Sequence, residues 1–192
     1  MDVDRREFLA GVAGAAIILP RMTQPKVRFS VIGLNHNHIY GMSRAVIRGG
    51  GELVAVYAKE PELAAAYIKE FPQAKLARSE QEVLESDVQL VLSAAIPDER
   101  APIGIRVMQH GKDYLSDKPG ITSLEQLAEV RRVQAQTRRI YSILYSERHE
   151  VRAAIKAGEL VQAGAIGKVV QTVNLAPHRI GNAEVGSRPV WF

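Results

Sequence analysis

The chain has 192 residues, 46% hydrophobic and 24% charged, with a formal net charge of +4. That is the balance of a folded domain of ordinary size, and no Lys/Arg cluster interleaved with aromatics supports a nucleic-acid partner. Cysteine is absent, which excludes disulfides, thiol nucleophiles and thiolate metal ligands.

Residues 1–22 have the layout of an export signal. Arg5-Arg6 precedes Phe8-Leu9, then an apolar run from Val12 to Leu19 closed by Pro20. The paired arginines in register with Phe8-Leu9 resemble a twin-arginine signal, which implies export to the periplasm in a folded state. The apolar run is too short to span a bilayer comfortably. A plain amphipathic helix is the alternative.

From Lys26 onward strands and helices alternate. Val27–Gly33 is an apolar run, read as a buried strand. Ile39–Arg48 has helical spacing and stops at Gly49-Gly50-Gly51. Glu52–Tyr57 is a second strand, and Pro61–Phe71 a helix that opens with proline. Leu76–Ala77 reads as a short third strand. Ser79 stands three before Glu82, the spacing of a capping box. Val88–Ala94, Asp98–His110, Asp113–Leu115, Ser123–Gln136 and Arg139–Leu144 continue as strand, helix, strand, helix, strand. Such alternation predicts an α/β fold, a doubly wound parallel sheet with helices on both faces. Beyond Tyr145 the pattern changes. Glu147–Ala157 is predicted helical and Lys168–Leu175 a strand of mixed polarity, the start of a second, α+β domain. The predicted organisation is therefore a signal (1–22), a complete doubly wound domain (23–146) and the beginning of a second domain (147–192).

The stretch "FSVIGLNHNHIYG" runs from strand through turn to helix, the layout of a dinucleotide loop. Such a loop uses glycine for the turn, for close approach to the pyrophosphate and for helix packing. Gly33 fills the first place. Asn35 stands at the second and tolerates left-handed backbone geometry. His38 stands at the third. Gly33, Leu34, Asn35, His36 and Asn37 are the candidate phosphate-binding residues, with the helix amino terminus offering N–H groups to an anion. A bare strand-to-helix turn is the alternative. No metal is assigned, since His36 and His38 lie two apart with no Asp or Glu in the loop. At the end of the second strand, Ala58 and Lys59 occupy the place of a ribose-binding acid. A small residue beside a cation suits a 2′-phosphate and favours NADP over NAD, although Glu60 stands within reach of a ribose.

After the fifth strand comes "SDKPGITSLEQL". Its Asp117-Lys118-Pro119 resembles the Glu-Lys-Pro motif of the Gfo/Idh/MocA oxidoreductases. "VIGLNHNH", "ELVAVYAKEPELA", "SAAIPDE" and "GAIGKVVQTVNLAPHRIG" extend the resemblance from about Lys26 to the last residue. The family binds NAD(P) in a Rossmann domain and transfers hydride to or from sugars and polyols. Carried over, the resemblance implies that Lys118 lies between nicotinamide and substrate and hydrogen-bonds the reacting hydroxyl. Ala95, Pro97 and Asp117 become cofactor contacts, and Asp117 replaces the usual glutamate. The family's asparagine and histidine after the fourth strand are replaced by Asp98 and by Arg100 or Ala101. Its second-domain proton relay, "G-G-x-x-x-D-x-x-x-H", is not found, and His178 and Arg179 are the remaining substrate candidates. The resemblance implies homo-oligomers in full-length relatives. It implies cofactor binding with little turnover for this chain alone. A non-catalytic Rossmann binding module or a truncated product without independent function is the rival.

Overall fold

The computed structural model describes residues 27–146, 150–173 and 175. Six strands form one sheet: β1 (Arg28–Ile32), β2 (Glu52–Tyr57), β3 (Lys75–Leu76), β4 (Leu90–Ser93), β5 (Asp113–Ser116) and β6 (Tyr141–Ile143). Their order is β3-β2-β1-β4-β5-β6, every neighbouring pair parallel. Each of the first five strands is followed by a crossover helix on one face or the other: α1 (His38–Arg48), α2 (Pro61–Glu70), α3 (Glu80–Glu85), α4 (Pro97–Gln109) and α5 (Leu124–Thr137). This is the doubly wound arrangement predicted from the alternation, and the order reverses between β1 and β4. Ligands in such sheets bind beyond the carboxyl ends of the strands at that reversal.

The central strands are apolar on both sides because both faces are covered. Val31, Val56, Val91 and Leu92 are fully buried. One face packs Phe29, Ile39, Met42, Tyr67 and Phe71 into a core; the other packs Val83, Val107 and Tyr114. Tyr67 meets its polar need inside that core through Ser43 Oγ, 2.6 Å from its hydroxyl. Burying an aromatic ring of this size stabilises by about 1.5–3 kcal/mol.

Local signals set the helix ends. The Ser79 hydroxyl accepts from the Glu82 amide at 3.1 Å, and Ser123 accepts from the Gln126 amide at 3.2 Å. α4 carries Pro102 in its interior. A proline there cannot bond the carbonyl four residues back; Gln126 Nε2 of α5 donates to that carbonyl, Asp98 O, at 2.9 Å.

Two expectations beyond Tyr145 need correction. The helix there is α6 (Arg152–Gln162), later than predicted; residues 147–149 lie outside the described part. The predicted strand Lys168–Leu175 does not form among its described residues: residues 169–173 and 175 have no regular structure, and Val170 and Leu175 are each 89% exposed. A strand needs a hydrogen-bonded neighbour, and none stands beside these residues among those described. The signal segment, His178 and Arg179 lie outside the described residues. No helix among those described is long and apolar enough to cross a membrane.

Candidate functional site

Because all six strands run the same way, their carboxyl ends share one rim. At the end of β1 the chain turns at Gly33, with φ +83°. The Gly33 amide donates to Tyr57 O at 2.9 Å, its carbonyl accepts from the Ala94 amide at 3.2 Å, and the His36 amide donates to Ala94 O at 3.0 Å. The turn is thus stitched to the ends of β2 and β4. A Cβ at Gly33 would sit 2.6 Å from Ala95 Cβ, so both the backbone angle and the close approach require glycine.

Beside this turn a cleft of ≈ 350 Å³ opens at the reversal point, lined by Gly33, Asn35, Ala58, Glu60, Ala95 and Glu99 among others. That volume lies at the small end of cofactor sites. Its polar groups are arranged rather than scattered. Asn35 Nδ2 donates to Glu60 Oε1 at 2.8 Å, which holds that carboxylate at the end of β2. Lys59 Nζ pairs with Glu99 Oε1 at 2.6 Å across the rim. Arg106 pairs with Glu80 at 2.6 Å. The cation on which a 2′-phosphate reading rests is therefore already neutralised, and Glu60 adds an anionic group suited to a ribose diol.

The amino terminus of α1 is less open than its position implies. The His38 amide donates to His36 Nδ1 at 3.2 Å, and the Ile39 and Tyr40 amides donate to the His36 and Asn37 carbonyls, each at 3.2 Å. The Leu34 and Asn37 amides have no acceptor among the described residues. The side chain of Leu34 belongs to the core, so only its backbone can serve a ligand. Asn37 is exposed and makes no side-chain cap bond.

At the tip of β5 the motif residues converge on the same turn. Asp117 is 2% exposed. Its Oδ1 accepts from the Lys118 amide at 2.8 Å and lies 2.9 Å from His38 Nδ1. Its Oδ2 lies 3.2 Å from Arg100 Nη2 and 3.4 Å from His36 Nδ1. Burial pushes this carboxyl up; the His38 hydrogen bond and the Arg100 charge outweigh burial and hold it below its ordinary value. Burial, with the neighbouring His38 next, lowers His36 against the opposing pull of Asp117, and the Lys118 charge also reaches it. The Lys118 ammonium has no hydrogen bond or ion pair among the described residues. Lys118 is exposed, and its peptide bond to Pro119 is cis.

Arg100 underlies this rim and is 1% exposed. Nε donates to Ala95 O at 2.6 Å, and Nη1 donates to the Lys118 and Pro119 carbonyls at 2.6 and 3.1 Å. It fastens the turn after β4 to the turn after β5. In the sequence Arg100 stands out only as a departure from the family's histidine, and neither Arg100 nor His38 is among the candidate residues. The one signal available was a charged residue inside a run of helical apolar positions (Ala101, Gly104, Met108). Of the predicted residues, Gly33, Asn35, Lys59 and Ala95 meet at the cleft. Pro97 opens α4 beside it. His36, Asp117 and Lys118 form the neighbouring group.

This chain belongs to the Gfo/Idh/MocA oxidoreductase family with an NAD-binding Rossmann fold, whose sequence model matches residues 27–145. Among solved structures, it is 39% identical to a protein from Erwinia carotovora atroseptica assigned as an oxidoreductase, with a TM-score of 0.70 over 72% of this chain and 42% of that one. It shares its fold with the WlbA dehydrogenase of Bordetella pertussis, solved with NADH and UDP-GlcNAcA (19% identity, TM-score 0.66, 74% of this chain and 43% of that one). It also shares it with myo-inositol 2-dehydrogenase of Lactobacillus plantarum (18% identity, TM-score 0.66, 76% and 43%). The chain thus spans well under half the length of these relatives. No curated protein matches it.

The residues present fit a nicotinamide dinucleotide: a glycine turn at the sheet's reversal point, a carboxylate at the end of β2, and, two strands away on the same rim, an ammonium without a partner among the described residues.

Proposed function

We propose that this chain is the cofactor-binding part of an exported NAD(P)-dependent oxidoreductase acting on a sugar or polyol. The observation that carries the reading is Lys118, a cation without a partner among the described residues, held on the rim that faces the Asn35–His36 turn. Gly33, Asn35, Ala95 and Glu60 would hold the nucleoside end, and the Leu34 and Asn37 amides the diphosphate. Bound there, the cofactor supplies hydride acceptance or donation. Lys118 would donate a hydrogen bond to the substrate oxygen, steadying the negative charge that develops as its proton leaves. The charge balance at Lys59 and Glu60 supports NAD over the 2′-phosphorylated form, against the leaning drawn from sequence alone. The wall that selects a substrate, and homo-oligomer formation, would lie in the part of the relatives that this chain does not span. Export rests on Arg5-Arg6 and the apolar run after them.

Titration with NADH and NADPH, followed by nicotinamide fluorescence, tests the binding claim. Saturable binding, tighter for NADH, is expected; no signal with either cofactor overturns it. Lys118→Met should leave NADH binding within a few-fold and, in a version that turns over substrate, lower kcat by about 10²–10⁴. The engaged amides at the start of α1 favour one alternative, a non-catalytic Rossmann module. Undiminished turnover in Lys118→Met would leave Lys118 without its proposed role, and no turnover in any full-length version would favour the module.

A further inference from the structure

We propose that His36, His38 and Asp117 form a binding site for a divalent transition-metal ion. The inference stands on side-chain geometry and does not depend on the dinucleotide reading. A ligand atom from each of the three lies within 4.8 Å of the others. The two rings meet edge to face with centroids 4.0 Å apart, and both present Nδ1 to the same carboxylate. Sequence reading found no acid in the loop; the fold brings one in from 79 residues away.

The decisive detail is a buried carboxylate oxygen without a hydrogen bond, close to a ring nitrogen. His36 Nδ1 accepts the His38 amide at 3.2 Å, so this nitrogen carries a lone pair and no proton. Opposite it, at 3.4 Å, stands Asp117 Oδ2. That oxygen is buried and receives no hydrogen bond among the described residues; its contact with Arg100 at 3.2 Å is one of charge. A buried carboxylate oxygen that receives no hydrogen bond, beside a ring nitrogen that accepts the His38 amide, offers two donor atoms to one cation. Ligand atoms bound at 2.0–2.1 Å in tetrahedral geometry stand about 3.3 Å apart, close to the spacing found. His38 Nδ1, 2.9 Å from Oδ1, is the third ligand in the tautomer that carries its proton on Nε2.

Two imidazoles and one carboxylate suit Zn²⁺, Co²⁺ or Fe²⁺ more than Ca²⁺ or Mg²⁺. Ligating carboxylates are normally held by further groups, and Asp117 has the Lys118 amide as a donor and the Arg100 guanidinium as a counter-charge. The same Arg100 charge, with Lys118 nearby, opposes a second cation and sets the affinity below that of a closed structural zinc site. A plain His38–Asp117 hydrogen bond that stiffens the turn explains the 2.9 Å contact. It does not account for Oδ2, which is buried without a hydrogen bond 3.4 Å from His36 Nδ1.

The test is a titration of the tag-free chain with Co²⁺, without nucleotide, followed by visible d–d absorption. The expected result is absorption that saturates at one ion per chain and is displaced by Zn²⁺. It should be lost in His36→Ala and in His38→Ala and retained in His110→Ala. Both turn histidines are partly exposed, so their variants should fold, which circular dichroism checks. No saturable absorption, or a spectrum that survives in the double variant (an adventitious ion only), overturns the site. Because nucleotide is absent, this outcome is read separately from that of the NADH titration.

Discussion

Arg100 donates from Nη1 to the main-chain carbonyl of Lys118 at 2.6 Å, so a cation without a partner among the described residues is fixed from beneath by a buried one. The same guanidinium holds Ala95 O and faces Asp117. It replaces separate supports for two loops with a single rigid fork.

Arg100→Met should therefore do more than remove a hydrogen bond. It leaves Asp117 buried without its counter-charge, and breaking such a pair costs about 3–5 kcal/mol. Urea unfolding is the measurement. Arg100→Met combined with Asp117→Asn should cost clearly less than the sum of the two single losses, because the pair is then removed together. Arg100→Lys restores charge but not the fork and should recover only part of the loss.

Two glycines should respond in opposite directions. Gly33→Ala meets both a left-handed φ and a 2.6 Å approach to Ala95 Cβ; a loss of about 1–3 kcal/mol is expected, with NADH affinity falling at least tenfold. Gly41 lies inside α1 with nothing within 4 Å of its added Cβ. Gly41→Ala should raise stability by about 0.5–1 kcal/mol and leave NADH affinity unchanged. Thermal melts and the NADH titration separate the two.

Alkaline pH should unfold the protein steeply. Burial, the largest influence at each, raises the Tyr67, Tyr114 and Tyr141 hydroxyls above the ordinary tyrosine value of 10.0. A raised folded value favours the protonated, folded form, so the contribution is whole below pH 10 and is lost as pH rises beyond it. Each buried tyrosine then costs about 1.4 kcal/mol per pH unit. Tyrosinate absorbance against pH should show these three ionising only together with loss of the circular dichroism signal. Smooth ionisation with the fold intact would contradict the assignment.

Glu60 should set the cofactor preference. Glu60→Ala is expected to weaken NADH about tenfold and to leave NADPH unchanged or stronger, narrowing the ratio between them. Asn35→Ala, which frees the same carboxylate from its 2.8 Å bond, should act in the same direction with a smaller effect. If instead Lys59→Ala abolished NADPH binding and Glu60→Ala changed nothing, the 2′-phosphate reading would return.

The fold was legible because its signals are local and repeated. Alternating apolar runs, the Ser79 and Ser123 caps and the Pro61 start are each decided within a few residues, and the parallel sheet follows from their order. The strand expected at Lys168–Leu175 misled for the complementary reason: β-propensity describes a surface to be covered, and pairing depends on a neighbour that local sequence does not reveal. The site was legible only at its strand tips. Gly33 and Lys118 declare themselves by motif. The Asp117 hub does not, because His36 and His38 reach it from the turn and start of α1 and Arg100 from α4. Lys59 was read as an available cation since Glu99, its partner, stands 40 residues downstream.

The pairing of β1 with β4 has a consequence for the order in which the chain takes shape. Phe29 lies beside Leu90 in the sheet, so during synthesis the inner edge of the first strand waits until some sixty more residues have left the ribosome. Until then only the β1–β2–β3 half can gather, with one long hydrophobic flank bare. Nascent chains halted before Leu90 should engage holding chaperones, and those halted beyond Ile143 should release them.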